Sequence, residues 1–381
     1  FAPFAGAPIL FNLSLIGALL VLPDYLETAG HAMAWGVLVA GILQLLLVYI
    51  FTFKTSMRLK LVWPKLSLKI RRLFRLMGPG VVGAGVVQIN LLVDIILAST
   101  LPAGAISYLY YGDRLNQLPL GIIGVAIGTA LLPKLSKALT RQDQSAARLM
   151  NQAVQYSALL VLPAAAALIA IPETLTTVLF QRGAFDAAAA TATANVIRAY
   201  AIGLPAYVMI KIWATAFYAR ENTKTPVKIA IFAAIVNIVL SLALIGPMAH
   251  VGIALATSIA ALIQAFLLRF AARNRGLGTD VGSSHPPHPP HPPLTKRTRA
   301  LLGKSALFAA IMGGVIHTLQ ETNLDLLNSG GLIGLLFLLG LVTVGKIIYF
   351  SLVFGSRTVT LTDLKTLIAP PTKKPNKQQD L

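Results

Sequence analysis

Apolar runs of about 20 residues recur along this chain, and that pattern leaves few folds open to it. They fall at roughly 7–23, 32–53, 78–101, 104–133, 151–171, 188–218, 226–246, 249–269, 301–319 and 330–355. Each is long enough to cross about 30 Å of hydrocarbon as an α-helix. Only 12% of the 381 residues are charged, against about 25% in a soluble domain. The expected fold class is therefore all-α, a polytopic membrane protein with about ten transmembrane helices.

A net charge of +19 would suggest a nucleic-acid partner in a soluble protein. Its distribution argues otherwise. The segments between runs fall on alternating sides of the membrane. One set (54–75, 134–150, 219–228, 269–304 and 357–381) carries 27 of the 32 Lys and Arg, and the opposite set carries one, Arg182. By the positive-inside rule the basic set faces the cytoplasm, with both chain ends on that side. The excess charge then meets anionic phospholipid headgroups, and nucleic acid drops out as a partner. No cysteine is present, which removes thiol catalysis and iron–sulfur clusters. The chain starts at Phe1 with no charged leader, which is expected of a chain cut from a longer one.

Organisation follows the spacing of the runs. Residues 1–53 hold two spans. Residues 54–77 form a basic linker in which Leu66, Ile70, Leu73, Phe74 and Met77 recur at helical spacing opposite Lys69, Arg71, Arg72 and Arg75. That pattern predicts an amphipathic helix on the cytoplasmic leaflet. Residues 78–272 hold six spans joined by short segments, a compact bundle. A polar loop, 273–299, precedes two appended spans at 300–356 and a basic tail at 357–381. The loop contains His285, His288 and His291 separated by Pro pairs. In polyproline II these lie on one face but about 9 Å apart, too far for one ion to bind all three. A semi-rigid linker is expected there, and no firm metal site. Nucleotide, zinc-protease and serine-hydrolase motifs are absent, so a transporter is expected rather than an enzyme.

Ionisable residues inside the spans carry the functional signal, because a mid-membrane charge costs roughly 2.5–3.5 kcal/mol even on the lenient insertion scale. Asp113 and Arg114 are adjacent, so on a helix they point about 100° apart. Gln117 lies one turn beyond Asp113 on its face. Arg114 is left to present a fork of donors to an anion such as phosphate, or to pair across helices and fix packing. Lys211 either lines a cavity or partners Asp113 or Asp94. Arg198, near the outer end of its span, is expected to snorkel to the interface. Asp94 needs protonation, a cationic partner or Na⁺. Asn237 and Ser241, one turn apart, and Thr257 on the next span are candidate oxygen ligands, with H⁺ or Na⁺ as coupling ion. Structural hydrogen bonding is the other role for that group.

The stretch Tyr110-Tyr111-Gly112-Asp113-Arg114-Leu115, continuing through Pro119 to Pro133-Lys134-Leu135-Ser136, resembles the MurJ (MviN) family of lipid II flippases in the MOP superfamily of exporters. So do 216–228, around Arg220 and Thr225-Pro226, and the opening 1–14, with Pro8, Asn12 and Ser14. The resemblance covers nearly the whole chain apart from the His-Pro loop and the tail. It implies two six-helix lobes around a central cavity, with two further helices forming a groove for a polyprenyl tail. On that template the chain begins at the fifth helix. Residues 1–53 are the end of the N-lobe, 78–272 the complete C-lobe and 300–356 the groove pair.

The family's Asp-Arg pair falls on Asp113 and Arg114. An acid found one turn later in some members is Gln117 here, and the family's cavity arginines on its first two helices have no counterpart. The implied function is export of lipid-linked peptidoglycan precursor (lipid II) across the bacterial cytoplasmic (inner) membrane by alternating access, as a monomer and with no cofactor. Arg114 and Lys211 would hold the diphosphate. The alternatives are a MOP relative exporting other lipid-linked oligosaccharides or drugs, or a fragment inactive without its missing helices.

Overall fold

The computed structural model describes residues 2–53, 67–140, 145–219, 222–273, 294–323 and 331–358. The basic segment 54–66, the His-Pro repeat and the tail beyond 358 lie outside the described residues. Ten α-helices and one 3-10 turn are present among the described residues. Helices α2, α5, α7, α8, α9 and α10, as numbered below, are long and apolar enough to cross a membrane. Two shorter apolar helical stretches, Gly6–Val21 and Gly85–Ser99, add to them. The chain is thus an all-α polytopic membrane protein. It divides into two compact units, Phe1–Arg71 and Arg72–Leu381.

The first unit is a helical hairpin, α1 (Ala2–Val21) and α2 (Ala29–Phe53), joined by a 3-10 turn at Pro23–Tyr25. Leu22-Pro23 ends α1, since proline cannot continue the hydrogen-bond ladder. Small residues let the two backbones approach. A Cβ on Gly36 would fall 2.8 Å from that of Ala18, and Ala32 and Ala40 are fully buried. The Gln44 amide donates to the Ala7 carbonyl at 2.8 Å.

The second unit comprises α3 (Leu68–Ser99), α4 (Ala105–Thr140), α5 (Ser145–Ala170), α6 (Pro172–Phe180), α7 (Ala187–Tyr218), α8 (Lys224–Arg273), α9 (Lys296–Glu321) and α10 (Gly331–Gly355). Three boundaries differ from the sequence expectation. Helix α3 starts at Leu68, so the basic amphipathic stretch continues straight into the following span. Nothing from Leu68 to Met77 is Gly or Pro, and good helix formers have no reason to stop there. The segment 172–187, expected as a loop, contains α6, started by Pro172 at its first position. The spans at 226–246 and 249–269 form one element with a sharp reversal at Ala249 (φ 48°, ψ −131°), just after Pro247. Its two arms pack so closely there that a Cβ on Gly252 would meet the Leu244 carbonyl oxygen at 2.4 Å.

Helix α7 is the hub. Of its most apolar stretch 61% is buried, against 17% for α8, so the other helices pack around it. Leu204, Val208, Ile212, Trp213 and Phe217 of α7 join Leu115 and Ile123 of α4 and Met150, Val154 and Val161 of α5 in one apolar cluster. Contact is closest where a side chain is missing. Gly112 on α4 abuts Val196, and Gly203 on α7 abuts Ser258 of α8. The Ser258 hydroxyl donates to the Ala199 carbonyl at 2.6 Å.

Helices α9 and α10 attach through α5 and α6. Leu301, Ala309, Met312 and Ile316 of α9, Leu338, Leu341, Tyr349 and Val353 of α10, and Leu159 and Ile171 form a second cluster. Hydrogen bonds pin α9 at both ends. At its start the Asn151 carbonyl oxygen accepts from the Thr295 amide (3.0 Å) and the Thr298 hydroxyl (2.8 Å), and Gln155 donates to Thr298 at 2.8 Å. At its far end Thr174 donates to Gln320 at 2.6 Å. In a membrane interior each such bond stabilises by about 0.6 kcal/mol; together they fix the register of α9 on α5 and α6.

Candidate functional site

A cavity of about 660 Å³ opens between α3, α4, α7 and α8 of the second unit. Helical periodicity accounts for its polar wall. On α7, Tyr200, Tyr207 and Lys211 recur at intervals of two and one helical turns, and on α4 Asp113, Asn116 and Gln117 share one face. Helix α3 contributes Asn90 and Asp94, and α8 contributes Asn237, Thr257 and Gln264. Apolar neighbours such as Val86, Leu91, Ile106 and Leu120 complete the lining.

Most of the residues singled out from sequence come together here. Asp113 accepts a hydrogen bond from Gln117 one turn on, the pairing their spacing predicts. Lys211 reaches the cavity. Among the described residues the one ion pair is Glu173–Arg198, so Lys211 is not bridged to Asp94 or Asp113. Asp94 is held by amides: Asn90 donates to Oδ2 and Asn237 to Oδ1, both at 3.3 Å. Asn237 also donates to Asn90 at 2.9 Å. The Thr257 hydroxyl is turned back onto the Ile253 carbonyl at 2.9 Å.

Two residues do not reach the wall. Ser241 is fully buried one turn from Asn237, its hydroxyl without a hydrogen-bond partner, and does not line the cavity. Arg114 also points elsewhere, as its offset from Asp113 demands. Its guanidinium lies over the Tyr110 ring at 4.6 Å from the centroid and donates to the Tyr110 hydroxyl at 3.0 Å. It is exposed, with most of its five donors uncommitted to this bond.

Sequence reasoning missed Asn90, Asn116, Tyr200, Tyr207 and Gln264. Asn90 was findable, since it precedes Asp94 by one turn. Asn116 is 2% exposed with its carbonyl oxygen unpaired; its neighbours Arg114 and Gln117 drew the attention. The lining holds two carboxylates and one ammonium. No group of three or more His, Asp or Glu that could hold a metal exists among the described residues.

Arg198 has a partner that its own helix does not reveal. Its guanidinium grips Glu173 with both arms, at 2.6 and 2.7 Å, and also donates to Asn195 at 3.1 Å. Glu173 belongs to α6, which carries no apolar run long enough to stand out in the sequence. Asp186 caps α7 by accepting from the Ala189 amide at 2.8 Å.

A sequence model of the family "Lipid II flippase MurJ" matches residues 1–337. The chain is 37% identical over 362 residues to a probable lipid II flippase MurJ of Rhizobium tropici, covering 92% of this chain and 64% of that protein. It is 35% identical over 369 residues to the corresponding protein of Rhizobium meliloti (strain 1021), covering 95% of this chain and 66% of that one. It therefore spans just under two thirds of the length of these relatives. Among solved structures, a lipid II flippase MurJ in an inward closed conformation superimposes with a TM-score of 0.69 at 24% identity, over 92% of this chain and 67% of that one. That likeness concerns the fold alone.

Proposed function

The chain belongs to the lipid II flippase MurJ family, and we propose that it forms the cavity-bearing lobe and flanking helices of a transporter moving lipid II from the inner to the outer leaflet of the bacterial cytoplasmic membrane. The observation that carries this reading is the cavity walled by α3, α4, α7 and α8, a largely apolar lining set with two carboxylates, an ammonium and several amides, in a chain otherwise built of membrane-crossing helices. A sugar–peptide headgroup cannot cross about 30 Å of hydrocarbon unaided. A wet cavity opening alternately to each side carries it without making or breaking a bond. In this reading ten spans cross the membrane with both chain ends cytoplasmic. Residues 1–53 end one lobe, 78–272 form the other, and α9 and α10 guide the polyprenyl tail that stays in lipid. The transporter works as a monomer, with anionic phospholipids against its basic loops.

In this scheme Lys211 meets the diphosphate from the cavity wall that Asp113 and Gln117 shape, and Arg114, off that wall but resting on the lining residue Tyr110, grips it at the cavity's edge. Guanidinium suits a diphosphate because it donates two parallel bonds and never deprotonates. Two carboxylates against one ammonium in the lining give one argument for a second reading, a MOP-superfamily exporter of cationic drugs. Rescue experiments separate the two. The native gene encoding this chain restores growth to a strain depleted of its own lipid II flippase if the first reading holds. Drug resistance without rescue supports the second.

Asp94, Asn237, Ser241 and Thr257 form the proposed coupling-cation site, for Na⁺ or H⁺. Hard cations want several oxygen ligands, and Asp94 supplies the only charge in this set. Na⁺ but not K⁺ is expected to raise the melting temperature of the purified protein, and Asp94→Asn is expected to abolish that rise. A Na⁺ effect that persists in Asp94→Asn removes the cation role and leaves Asp94 and Asn237 in a hydrogen-bonding cluster with Asn90.

A further inference from the structure

The cytoplasmic end assigned to the second unit gathers charge that nothing in the transport scheme uses. Arg269 and Arg273 lie one turn apart on the last turns of α8, on one face. Arg299 lies in the first turn of α9. These two helix ends border the same apolar cluster, through Leu268 and Ala272 on one side and Leu294 on the other. Asn151 accepts hydrogen bonds from Thr295 and Thr298, which hold the start of α9 in place beside that cluster. No ion pair to any of them exists among the described residues. Asp94 and Asp113 line the cavity, and Glu173, Asp186 and Glu321 flank the opposite ends of the helices. Like charges assembled this way stabilise nothing unless an anion joins them.

The surface beside them supplies the other half of a ligand. Phe266 and Phe270, three residues before Arg269 and Arg273 respectively, are 64% and 53% exposed and stack at 6.3 Å between ring centroids. An apolar aromatic ledge directly on the membrane side of a basic cluster matches a phosphodiester with an acyl chain attached. It does not match a free anion, which has no use for the ledge.

We propose that Arg269, Arg273 and Arg299, with the Phe266–Phe270 ledge, form a binding site for one anionic phospholipid of the cytoplasmic leaflet. The headgroup phosphate bridges the end of α8 and the start of α9, and an acyl chain lies along the two rings. Basic pockets between membrane helices recognise such headgroups by charge and by guanidinium geometry. A lipid there ties the appended helices to the bundle at the point where the chain leaves one and enters the other. The site is separate from the transport cavity and depends only on the membrane orientation argued above.

The test is native mass spectrometry of the full chain released from detergent micelles. The probes are dioleoylphosphatidylglycerol, dioleoylphosphatidylcholine and inorganic phosphate. Wild type is expected to retain one phosphatidylglycerol in preference to phosphatidylcholine. The triple variant Arg269→Gln, Arg273→Gln, Arg299→Gln is expected to lose that preference, with affinity falling about fivefold for each charge removed. The double variant Phe266→Ala, Phe270→Ala is expected to weaken phosphatidylglycerol binding severalfold with all three arginines intact. Should the triple variant fail to fold, Arg273→Gln alone, at an exposed position, must still lower retention. Equal retention by wild type and the arginine variants overturns the proposal. Displacement of the lipid by inorganic phosphate overturns the lipid assignment, because it reduces the site to a bare anion site.

Discussion

Replacing Arg114 with alanine is expected to abolish growth rescue in a strain depleted of its lipid II flippase, with the variant present in the membrane at wild-type level. The physical basis is the idle fork. One amino group of Arg114 is engaged by the Tyr110 hydroxyl of its own helix, and the exposed remainder is free to take two oxygens of a diphosphate. Hydrogen bonds to charged groups are worth about 1.5–3 kcal/mol each, so losing a pair lowers transport on the order of a hundredfold or more. Arg114→Lys keeps the charge and loses the fork, so it falls between wild type and alanine. Tyr110→Phe removes one hydrogen bond and leaves the ring under the guanidinium, and its effect is expected to be severalfold at most. If Arg114→Ala and Arg114→Lys both rescue growth, the diphosphate clamp is wrong.

A large loss of stability is expected at Gly203. A Cβ there would lie 2.8 Å from the Ser258 backbone Cα and 2.7 Å from its hydroxyl oxygen, so α7 and α8 must move apart to admit one. Separation also breaks the Ser258–Ala199 bond at 2.6 Å. Overpacking of this kind costs typically 1–3 kcal/mol, and helix pairs in lipid depend on close packing because no hydrophobic force drives them together. Gly203→Val is expected to leave little folded protein, and Gly203→Ala to lower the melting temperature by several degrees. Gly340→Ala is the control, since nothing lies within 4 Å of a Cβ there, and it is expected to melt like wild type. Equal melting of Gly203→Ala and Gly340→Ala contradicts the close crossing.

What was legible in the sequence follows from the length of membrane helices and the cost of charge within them. A run of apolar residues has one solution in lipid, so the all-α membrane class could be read before any packing was known. The pairing of Asp113 with Gln117 could also be read, because both sit on one helix and local spacing decides it. The partner of Arg198 was hidden for a non-local reason: Glu173 lies on α6, too short and too mixed in composition to stand out. Asn116 and Tyr200 were missed because a buried amide or phenol resembles its neighbours until the facing helix is known. Ser241 and Arg114 carry the same lesson in reverse. Arg114 stands beside Asp113, and a rotation of about 100° per residue carries it off the wall, whereas Ser241 shares the face of Asn237 but lies a turn beyond the lining.

The central claim concerns the leaflet in which lipid II resides. The decisive measurement uses cells whose own lipid II flippase has been switched off and in which the native gene encoding this chain is then expressed. Lipid II exposed on the outer face of the cytoplasmic membrane is cleaved by an added impermeant hydrolase specific for it and quantified by product release. The account predicts that exposure returns to the level of undepleted cells with the wild-type gene and stays near background with Arg114→Ala. Protein present in the membrane at normal level, with lipid II still confined to the inner leaflet, would contradict it.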